Sequence, residues 1–138
     1  MIAAANPPAG YSSILSTSPF GWENGPLFDR ETEDGFTRGF RIAPKHLNAG
    51  GVLHGGMVMT FADIVLAQAV SKVAEPPFVT IRLTSDFIGI AVEGDWVEGT
   101  AKAEPPVDGI IAVQGTIGVE GRVIASAQGL FKTLRREA

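Results

Sequence analysis

Residues 46–56 decide the fold: they read HLNAGGVLHGG and run directly into residues 57–70, MVMTFADIVLAQAV. The first part is a polar, glycine-rich loop that holds both histidines of the chain. The second part is the longest apolar segment, interrupted by Asp63. This pattern predicts a helix over residues 55–73, about 28 Å long at 1.5 Å per residue. Its side chains are apolar nearly all round, so the rest of the chain should wrap around it.

Six segments around this helix carry strand patterns, two before it and four after it. The first two flank Asp34-Gly35, a dipeptide favoured in type I′ hairpin turns, and the last two meet at Glu120-Gly121, a second predicted tight turn. The predicted strands are residues 27–33, 36–43, 78–87, 96–103, 110–119 and 122–134. The order β-β-α-β-β-β-β predicts an α+β fold, with one helix against a mostly antiparallel sheet.

Length and composition indicate a single globular domain preceded by an arm. The 138 residues are 45% hydrophobic and 19% charged, which is enough apolar material to bury a core. We expect residues 1–25, rich in Ala, Pro, Ser and Gly, to form a loosely ordered arm with a short helical turn around residues 12–15. Residues 26–138 then form the domain.

Charge, cysteine content and hydropathy exclude several classes of protein. The net charge of −4 gives no electrostatic reason to expect nucleic acid as a partner. The absence of cysteine excludes disulfides, thiolate nucleophiles and cysteine-based zinc sites. The apolar segment is too short to span a membrane, and the N-terminus lacks the basic and apolar regions of a signal peptide. We therefore expect a cytoplasmic protein without a membrane partner.

Asp63 is the first candidate catalytic residue. Its neighbours on the same helix face are Met59, Thr60, Ala67 and Val70. A carboxylate among such residues is costly to bury unless it is paired or hydrogen-bonded. Two interpretations stay open. In the first, Asp63 is an acid at the helix edge that reaches solvent or is hydrogen-bonded by Thr60. In the second, it is a general base or nucleophile in a desolvated pocket.

Gly55 and Gly56 at the predicted helix start form a second candidate group. The first N–H groups of a helix have no internal partner and lie at the positive end of its dipole, so they can polarise a carbonyl. A plain turn is the alternative for a Gly-Gly pair. Asn48, His46 and His54 add polar groups, and His54 either fixes the loop or acts as a polariser or acid. Two histidines without a third ligand make a poor metal site, and we expect no metal.

The two candidate groups are too far apart to act on one carbonyl within one chain. Asp63 lies eight residues past Gly55, roughly 12 Å along a regular helix, whereas a reacting carbonyl must lie about 3 Å from each. Two such helices, side by side and antiparallel, would place Asp63 of one beside Gly55 of the other. We therefore predict a twofold dimer with composite sites.

The spacing of these residues resembles that of a known family. The motif Asn48-x-x-Gly51-x-x-His54-Gly55-Gly56, with Asp63 after six further residues, is similar to that of the hotdog-fold acyl-CoA thioesterases, specifically the group related to the phenylacetate-pathway thioesterase PaaI. The resemblance covers residues 26–134. It implies a curved antiparallel sheet around one long helix, and hydrolysis of an acyl-CoA thioester without a cofactor. It also implies a homodimer formed edge to edge, which in relatives often pairs again into a tetramer.

The resemblance also implies a role for each matching residue. Asp63 would act as general base on water or as nucleophile, and the Gly55 N–H would polarise the thioester carbonyl. Asn48 would orient the water or the carboxylate, and His54 would contact the thioester or its leaving sulfur. Thr80 falls where relatives carry a hydroxyl that helps to place the water. The predicted substrate-binding residues are Gly56, Met59 and Phe87, with Met57 and Phe61 as further apolar lining.

Two other functions stay open at this level. One is a hotdog hydratase or dehydratase, which combines a catalytic histidine with an acid in a different arrangement. The other is a non-catalytic hotdog domain that binds acyl-CoA or serves as an assembly module. The order His54-Gly55-Gly56 before Asp63 favours hydrolysis, and a scaffold would be more stable with Ala in place of Asp63. The apolar lining fits aryl and medium-length acyl groups alike, so it does not select the acyl group.

Overall fold

A computed structural model describes residues 5–14 and 18–134. Within these residues the chain forms helices α1 and α2 and strands β1 to β7, with a short 3-10 turn at Pro44–His46. The bounds are β1 Ser12–Ser13, α1 Pro19–Asn24, β2 Phe28–Thr32, β3 Gly35–Arg41, α2 Gly55–Val70, β4 Phe78–Phe87, β5 Trp96–Ala103, β6 Ile110–Val119 and β7 Arg122–Thr133.

The strands form one antiparallel sheet in the order β1-β2-β3-β5-β6-β7-β4. Tight connections join β2 to β3 and β6 to β7, so these neighbours in sequence are neighbours in the sheet. Strand β4 is the exception, because it follows α2 and lies at the far edge beside β7. The predicted α+β fold, an antiparallel sheet around one long helix, is confirmed.

Helix α2 buries the side that faces the sheet. Phe61, Val65 and Leu66 are at most 1% exposed, and the Phe61 ring packs edge-on against Phe40 of β3, with ring centroids 4.8 Å apart. At Gly99 of β5 a Cβ atom would lie 2.8 Å from Cγ2 of Val65. Glycine there lets the helix approach the sheet closely, and a larger residue would push the two apart.

Ala5 and Tyr11 of the N-terminal arm pack on the outer face of the sheet, opposite α2, whereas Ile14 packs against the core that contains α2. Tyr11, Phe28 and Trp96 form a small buried cluster there, separate from the core under α2. The Tyr11 hydroxyl donates a hydrogen bond to Glu98, and the Trp96 indole N–H donates to the same carboxylate at 3.3 Å. Burial and the bond to Glu98 raise the pKa of Tyr11 to about 12, so the phenol stays a donor at neutral pH. The division into an arm and a domain at residue 25 stays a prediction.

Strands β2, β3 and β7 differ from their predicted bounds by one or two residues, and a turn and a helix end also differ from the prediction. The first hairpin turns at Glu33 and Asp34, one residue early, because Thr32 pairs with Gly35. Gly35, with φ of +150°, is the first strand residue instead of a turn residue. Helix α2 ends at Val70 instead of residue 73. The N–H groups of Lys72 and Val73 bond to carbonyls only three residues back, Ala69 at 3.1 Å and Val70 at 3.0 Å, which is the tighter 3-10 pattern.

The N-terminal region also departs from the prediction. Ser12 pairs with Asp29, so this segment starts as a strand instead of the expected helical turn, whose Leu15 end lies outside the described residues. Helix α1 was not predicted. By contrast, the Glu120-Gly121 turn is confirmed, since both residues have positive φ, 49° and 78°, as a type I′ turn requires.

Candidate active site

His54 starts α2 and fixes its first turn. Its Nδ1 atom accepts a hydrogen bond from the Gly56 N–H at 2.7 Å, and its carbonyl oxygen accepts one from the Met57 N–H at 2.9 Å. Because Nδ1 is an acceptor, the neutral ring carries its proton on Nε2. His54 is exposed, so its Nε2–H can donate a hydrogen bond to a molecule that binds at the helix start.

Gly55 supplies the first N–H of α2, and no residue in the described ranges accepts a hydrogen bond from it. This N–H lies at the positive end of the helix dipole. A Cβ atom built on Gly55 would lie 3.7 Å from the ring of Phe87, so that ring forms a wall beside the N–H. Four predicted residues, His54 to Gly56 and Phe87, therefore lie together. The free N–H can bind an oxygen that gains negative charge.

Asn48 stabilises the loop that leads into α2. Its Oδ1 atom accepts hydrogen bonds from the N–H groups of Gly50 at 2.9 Å and Val52 at 3.2 Å. The oxygen is therefore engaged within the loop. The side-chain amide N–H groups of this exposed residue point to no acceptor among the described residues. They can donate to a water or a carboxylate.

Asp63 lies midway along α2 and is half-buried. Its Oδ1 atom accepts a hydrogen bond from the Thr80 hydroxyl of β4 at 2.6 Å. The structure thus brings these two predicted residues together, and the interpretation in which Thr60 satisfies Asp63 is wrong. Met59, one helical turn before Asp63, is also half-buried. The bond from Thr80 holds one carboxylate oxygen and leaves Oδ2 to accept a proton.

A β-bulge in β4 sets the direction of Thr80. Thr80 pairs with Phe131 and Arg82 pairs with Leu130, so Ile81 is an extra residue between them. In a regular strand, residues 80 and 82 would face the same side of the sheet. With the bulge, Thr80 faces α2 and Arg82 faces the outer surface. No glycine or proline in β4 signals this bulge, and sequence analysis did not find it.

The two groups of site residues lie apart on one uncovered surface. Helix α2 is continuous, so the Asp63 carboxylate and the Gly55 N–H are about 12 Å apart along the axis. Strand β4 pairs only with β7 among the described strands, which leaves its outer edge open. Val79, Ile81 and Phe87 of β4 are 41%, 49% and 57% exposed. An unpaired strand edge with exposed apolar side chains is typical of a contact surface.

Only some of the apolar residues predicted to line the substrate-binding site lie at this surface. Phe87 is exposed, but Met57 and Phe61 are 7% and 0% exposed and belong to the core. Their assignment as lining is wrong, because they lie on the sheet side of α2. A groove of about 560 Å³ on the outer face, lined by Arg82 and Lys102 among others, contains none of the predicted site residues. The candidate site is therefore an open surface in a single chain.

The two loop histidines differ in their surroundings. His54 is exposed, whereas His46 is 2% exposed. Within residues 5–14 and 18–134, no three His, Asp or Glu side chains are grouped closely enough to hold a metal ion. In the same ranges, no helix has the length and apolar character needed to cross a membrane.

Comparison with known proteins identifies the family. The sequence profile of the thioesterase superfamily matches residues 50–104, which contain α2, β4 and β5. A Pseudomonas aeruginosa protein named "Putative esterase" is 34% identical over 129 residues, covering 91% of this chain and 96% of that protein. The chain belongs to the thioesterase superfamily. It is a thioester hydrolase.

Solved structures of related proteins share this thioesterase fold. A mutant of the phenylacetic acid degradation protein PaaI from Thermus thermophilus has a TM-score of 0.75 and 22% identity, covering 85% of this chain and 100% of that chain. A Bacillus halodurans protein solved with CoA has a TM-score of 0.69 and 25% identity, covering 79% of this chain and 74% of that chain. The resemblance to the PaaI-like hotdog thioesterases is confirmed.

Proposed function

We propose that this thioesterase hydrolyses acyl-CoA thioesters to a free acid and CoA. The observation that carries the proposal is the hydrogen bond from Thr80 to Asp63 on the uncovered side of α2. An aspartate held by one oxygen and open at the other is suited to take a proton from water. The CoA bound by the Bacillus halodurans relative supports CoA as the thiol part of the substrate.

In the proposed reaction, Asp63 removes a proton from a water molecule while the water oxygen attacks the thioester carbonyl carbon. Negative charge moves to the carbonyl oxygen, where the free N–H of Gly55 stabilises it. The C–S bond then breaks, and the CoA sulfur takes the proton from the Asp63 carboxyl, while the Nε2–H of His54 donates a hydrogen bond to the leaving sulfur. The same geometry serves a second route, in which Asp63 attacks the carbonyl and water opens the resulting anhydride.

The remaining site residues have supporting roles in this proposal. Asn48 donates from its free amide to the attacking water or the carboxylate. Gly56 keeps the helix start open to the thioester. Met59, one turn before Asp63, and Phe87, beside Gly55, contact the acyl group.

The proposed site is shared between two copies of the chain. The Asp63 carboxylate and the Gly55 N–H are about 12 Å apart in one helix, too far for one carbonyl. The open edge of β4 and the half-exposed side of α2 supply an apolar surface for a second copy. A twofold pairing there brings Asp63 of each copy toward Gly55 of its partner, and two such dimers can associate into a tetramer.

Release of free CoA from a panel of aryl- and straight-chain acyl-CoAs tests the proposed chemistry. We expect turnover by the wild type and a loss in kcat of about 10²- to 10⁴-fold in Asp63→Asn, the usual effect of removing a general base. Asp34→Asn is the matched control, because Asp34 is an exposed acid in the turn between β2 and β3, away from β4 in the sheet, and should not change kcat. Unchanged thiol release in Asp63→Asn would show the mechanism to be wrong.

The same panel separates the other functions. A change in enoyl absorbance without free CoA would indicate a hydratase or dehydratase. Binding of acyl-CoA without turnover would indicate a binding module. The ranking of kcat/KM over the panel gives the preferred acyl group.

A further inference from the structure

The buried ring of His46 uses both of its nitrogen atoms. Nδ1 accepts a hydrogen bond from the Ala43 N–H at 2.9 Å, and Nε2 lies 2.8 Å from the carbonyl oxygen of Asn24. An acceptor at Nδ1 and a donor at Nε2 define one neutral tautomer. The ring also packs edge-on against Phe40, with ring centroids 4.9 Å apart. His46 therefore joins the end of α1 to the exit of β3.

The backbone of His46 closes the base of the candidate active-site loop. Its carbonyl oxygen accepts a hydrogen bond from the N–H of His54 at 2.8 Å. Next to this pair, Leu47 and Leu53 form an antiparallel bridge. The loop that contains Asn48 therefore returns directly onto His46. His54, which caps α2, is therefore hydrogen-bonded to His46, whose ring is buried in the core.

We propose that His46 is a positioning residue for thioester hydrolysis: its neutral ring fixes the loop base so that His54 caps α2 and the Gly55 N–H points at the substrate. This inference rests on the proposed function for its effect on turnover. The structural part of the inference, that the helix start depends on the His46 ring, is independent of the proposed function. A displacement of a catalytic donor by about 1 Å can lower the rate about 10²-fold.

Protonation of His46 would break the arrangement. A proton on Nδ1 would face the N–H of Ala43, leaving two donors opposite each other. Burial lowers the pKa of His46, the charge of neighbouring Lys45 lowers it further, and the bond to Asn24 raises it. In the part of the chain that the structure describes, no carboxylate forms an ion pair with this ring. The loop base should therefore stay closed at neutral pH and open only in acid.

Two substitutions of His46 separate its hydrogen bonds from its packing. His46→Phe keeps a ring against Phe40 but leaves the Ala43 N–H and the Asn24 carbonyl unpaired. His46→Asn can place its Oδ1 near the position of Nδ1 and accept from Ala43, and it cannot be protonated. Tyr11→Phe is the control, because it removes a side-chain hydrogen bond on the outer face, away from the loop.

The experiment measures kcat and KM with an acyl-CoA from pH 5 to 8, and the Gly55 amide signal by NMR over the same range. The NMR titration is made in a His54→Asn background, which keeps a side-chain acceptor at the N-cap of α2 and removes the imidazole beside Gly55. In this background we expect the Gly55 signal to shift with the titration of His46. His46→Phe should lose about tenfold or more in kcat, with little change in KM. His46→Asn should keep kcat within a few-fold and lose the acid shift of the Gly55 signal, and Tyr11→Phe should match the wild type.

A folded His46→Phe with the kcat and pH profile of the wild type would overturn the inference. If His46→Phe does not fold, His46→Asn decides the question: an acid shift of the Gly55 signal that persists in a His46→Asn/His54→Asn protein would also overturn the inference. Absence of thiol release by the wild type would contradict the proposed function instead. The NMR titration would still test the link between His46 and the helix start.

Discussion

Gly55 combines a free N–H with the absence of a side chain, and the two properties can be tested separately. It occupies the first position of α2, where proline is well tolerated because its N–H is missing without loss of a helical bond. His54 before it is extended, with φ of −65° and ψ of 133°, which is the conformation that a following proline requires. Gly55→Pro therefore removes the N–H with little expected effect on the helix.

Gly55→Pro should lower kcat about 10²- to 10³-fold, the usual effect of removing one donor to an oxyanion. Gly55→Ala is the matched control. It keeps the N–H, and its Cβ would make an ordinary contact with Phe87 at 3.7 Å, so kcat should stay within a few-fold. Both variants are compared by steady-state thiol release and by thermal unfolding. Equal activity in the two variants would exclude this N–H as the oxyanion donor.

At the scale of residues, the sequence predicted the members of the candidate site better than their partners. Asp63 stood out because a carboxylate among apolar helix positions needs a partner. Neighbours along the helix suggested Thr60, but the hydroxyl comes from Thr80, in a strand that follows a turn. The bulge at Ile81 that aims Thr80 depends on pairing with β7. Such pairing is a property of the whole sheet and has no local signal.

Strand β4 is the element that should join two copies of the chain. The side chains of Thr80, Ser85 and Phe87 on β4 face α2. Thr80 departs from the regular alternation with Ser85 and Phe87 because the bulge adds one residue between them. A twofold axis perpendicular to the sheet pairs residues that face the same side. A twofold axis through Thr84 pairs the two β4 strands in this way. It places Phe87 of one copy opposite the bulge of the other copy. The Gly55 that lies beside Phe87 then approaches the partner's Asp63 and Thr80.

Thr84→Cys should form a disulfide between two copies under mild oxidation. On the axis, the two Cβ atoms of residue 84 would lie about 4.5–5.5 Å apart, close to the range of disulfides. The chain has no cysteine, so one substitution gives a clean result on a non-reducing gel. Lys72→Cys, exposed beyond the end of α2, is the control and should stay uncrosslinked. A Thr84→Cys protein that stays monomeric on the gel would contradict this register.

The elements that follow α2 were predicted closely, whereas those near the N-terminus were not. Strands β4, β5 and β6 have the predicted bounds, because β-branched and aromatic residues end there at clear turn residues. Strand β1 and helix α1 contain only two and six residues. Segments this short depend on tertiary contacts, such as the pairing of Ser12 with Asp29, and local propensity does not reveal them.

For the whole molecule, the proposed sharing of the site would make activity a property of the dimer. A heterodimer of one Asp63→Ala chain and one Gly55→Pro chain has one intact site, built from Gly55 of the first chain and Asp63 of the second. We expect about half of the wild-type activity from this heterodimer, since one of the two sites of the twofold dimer is intact. Each homodimer should be inactive. Differently tagged chains, mixed and purified through both tags, provide the sample for thiol release.

The matched control pairs Asp63→Ala with an Asp63→Ala/Gly55→Pro double variant. This heterodimer has no intact site and should stay inactive, although its interface is the same. No recovery in the purified test heterodimer would exclude a shared site.

The place of β4 in the sheet also has a consequence for synthesis on the ribosome. Strand β4 emerges directly after α2, but its partner β7 is the last of the described strands to be made. Until then, both edges of β4 lack a hydrogen-bonding partner within the chain, and its apolar residues are a target for chaperones. Thr80 pairs with Phe131, so the hydroxyl reaches Asp63 only after β7 has been made. A nascent chain without β7 can contain a folded helix and most of the sheet and still lack the proposed catalytic pair, Asp63 and Thr80.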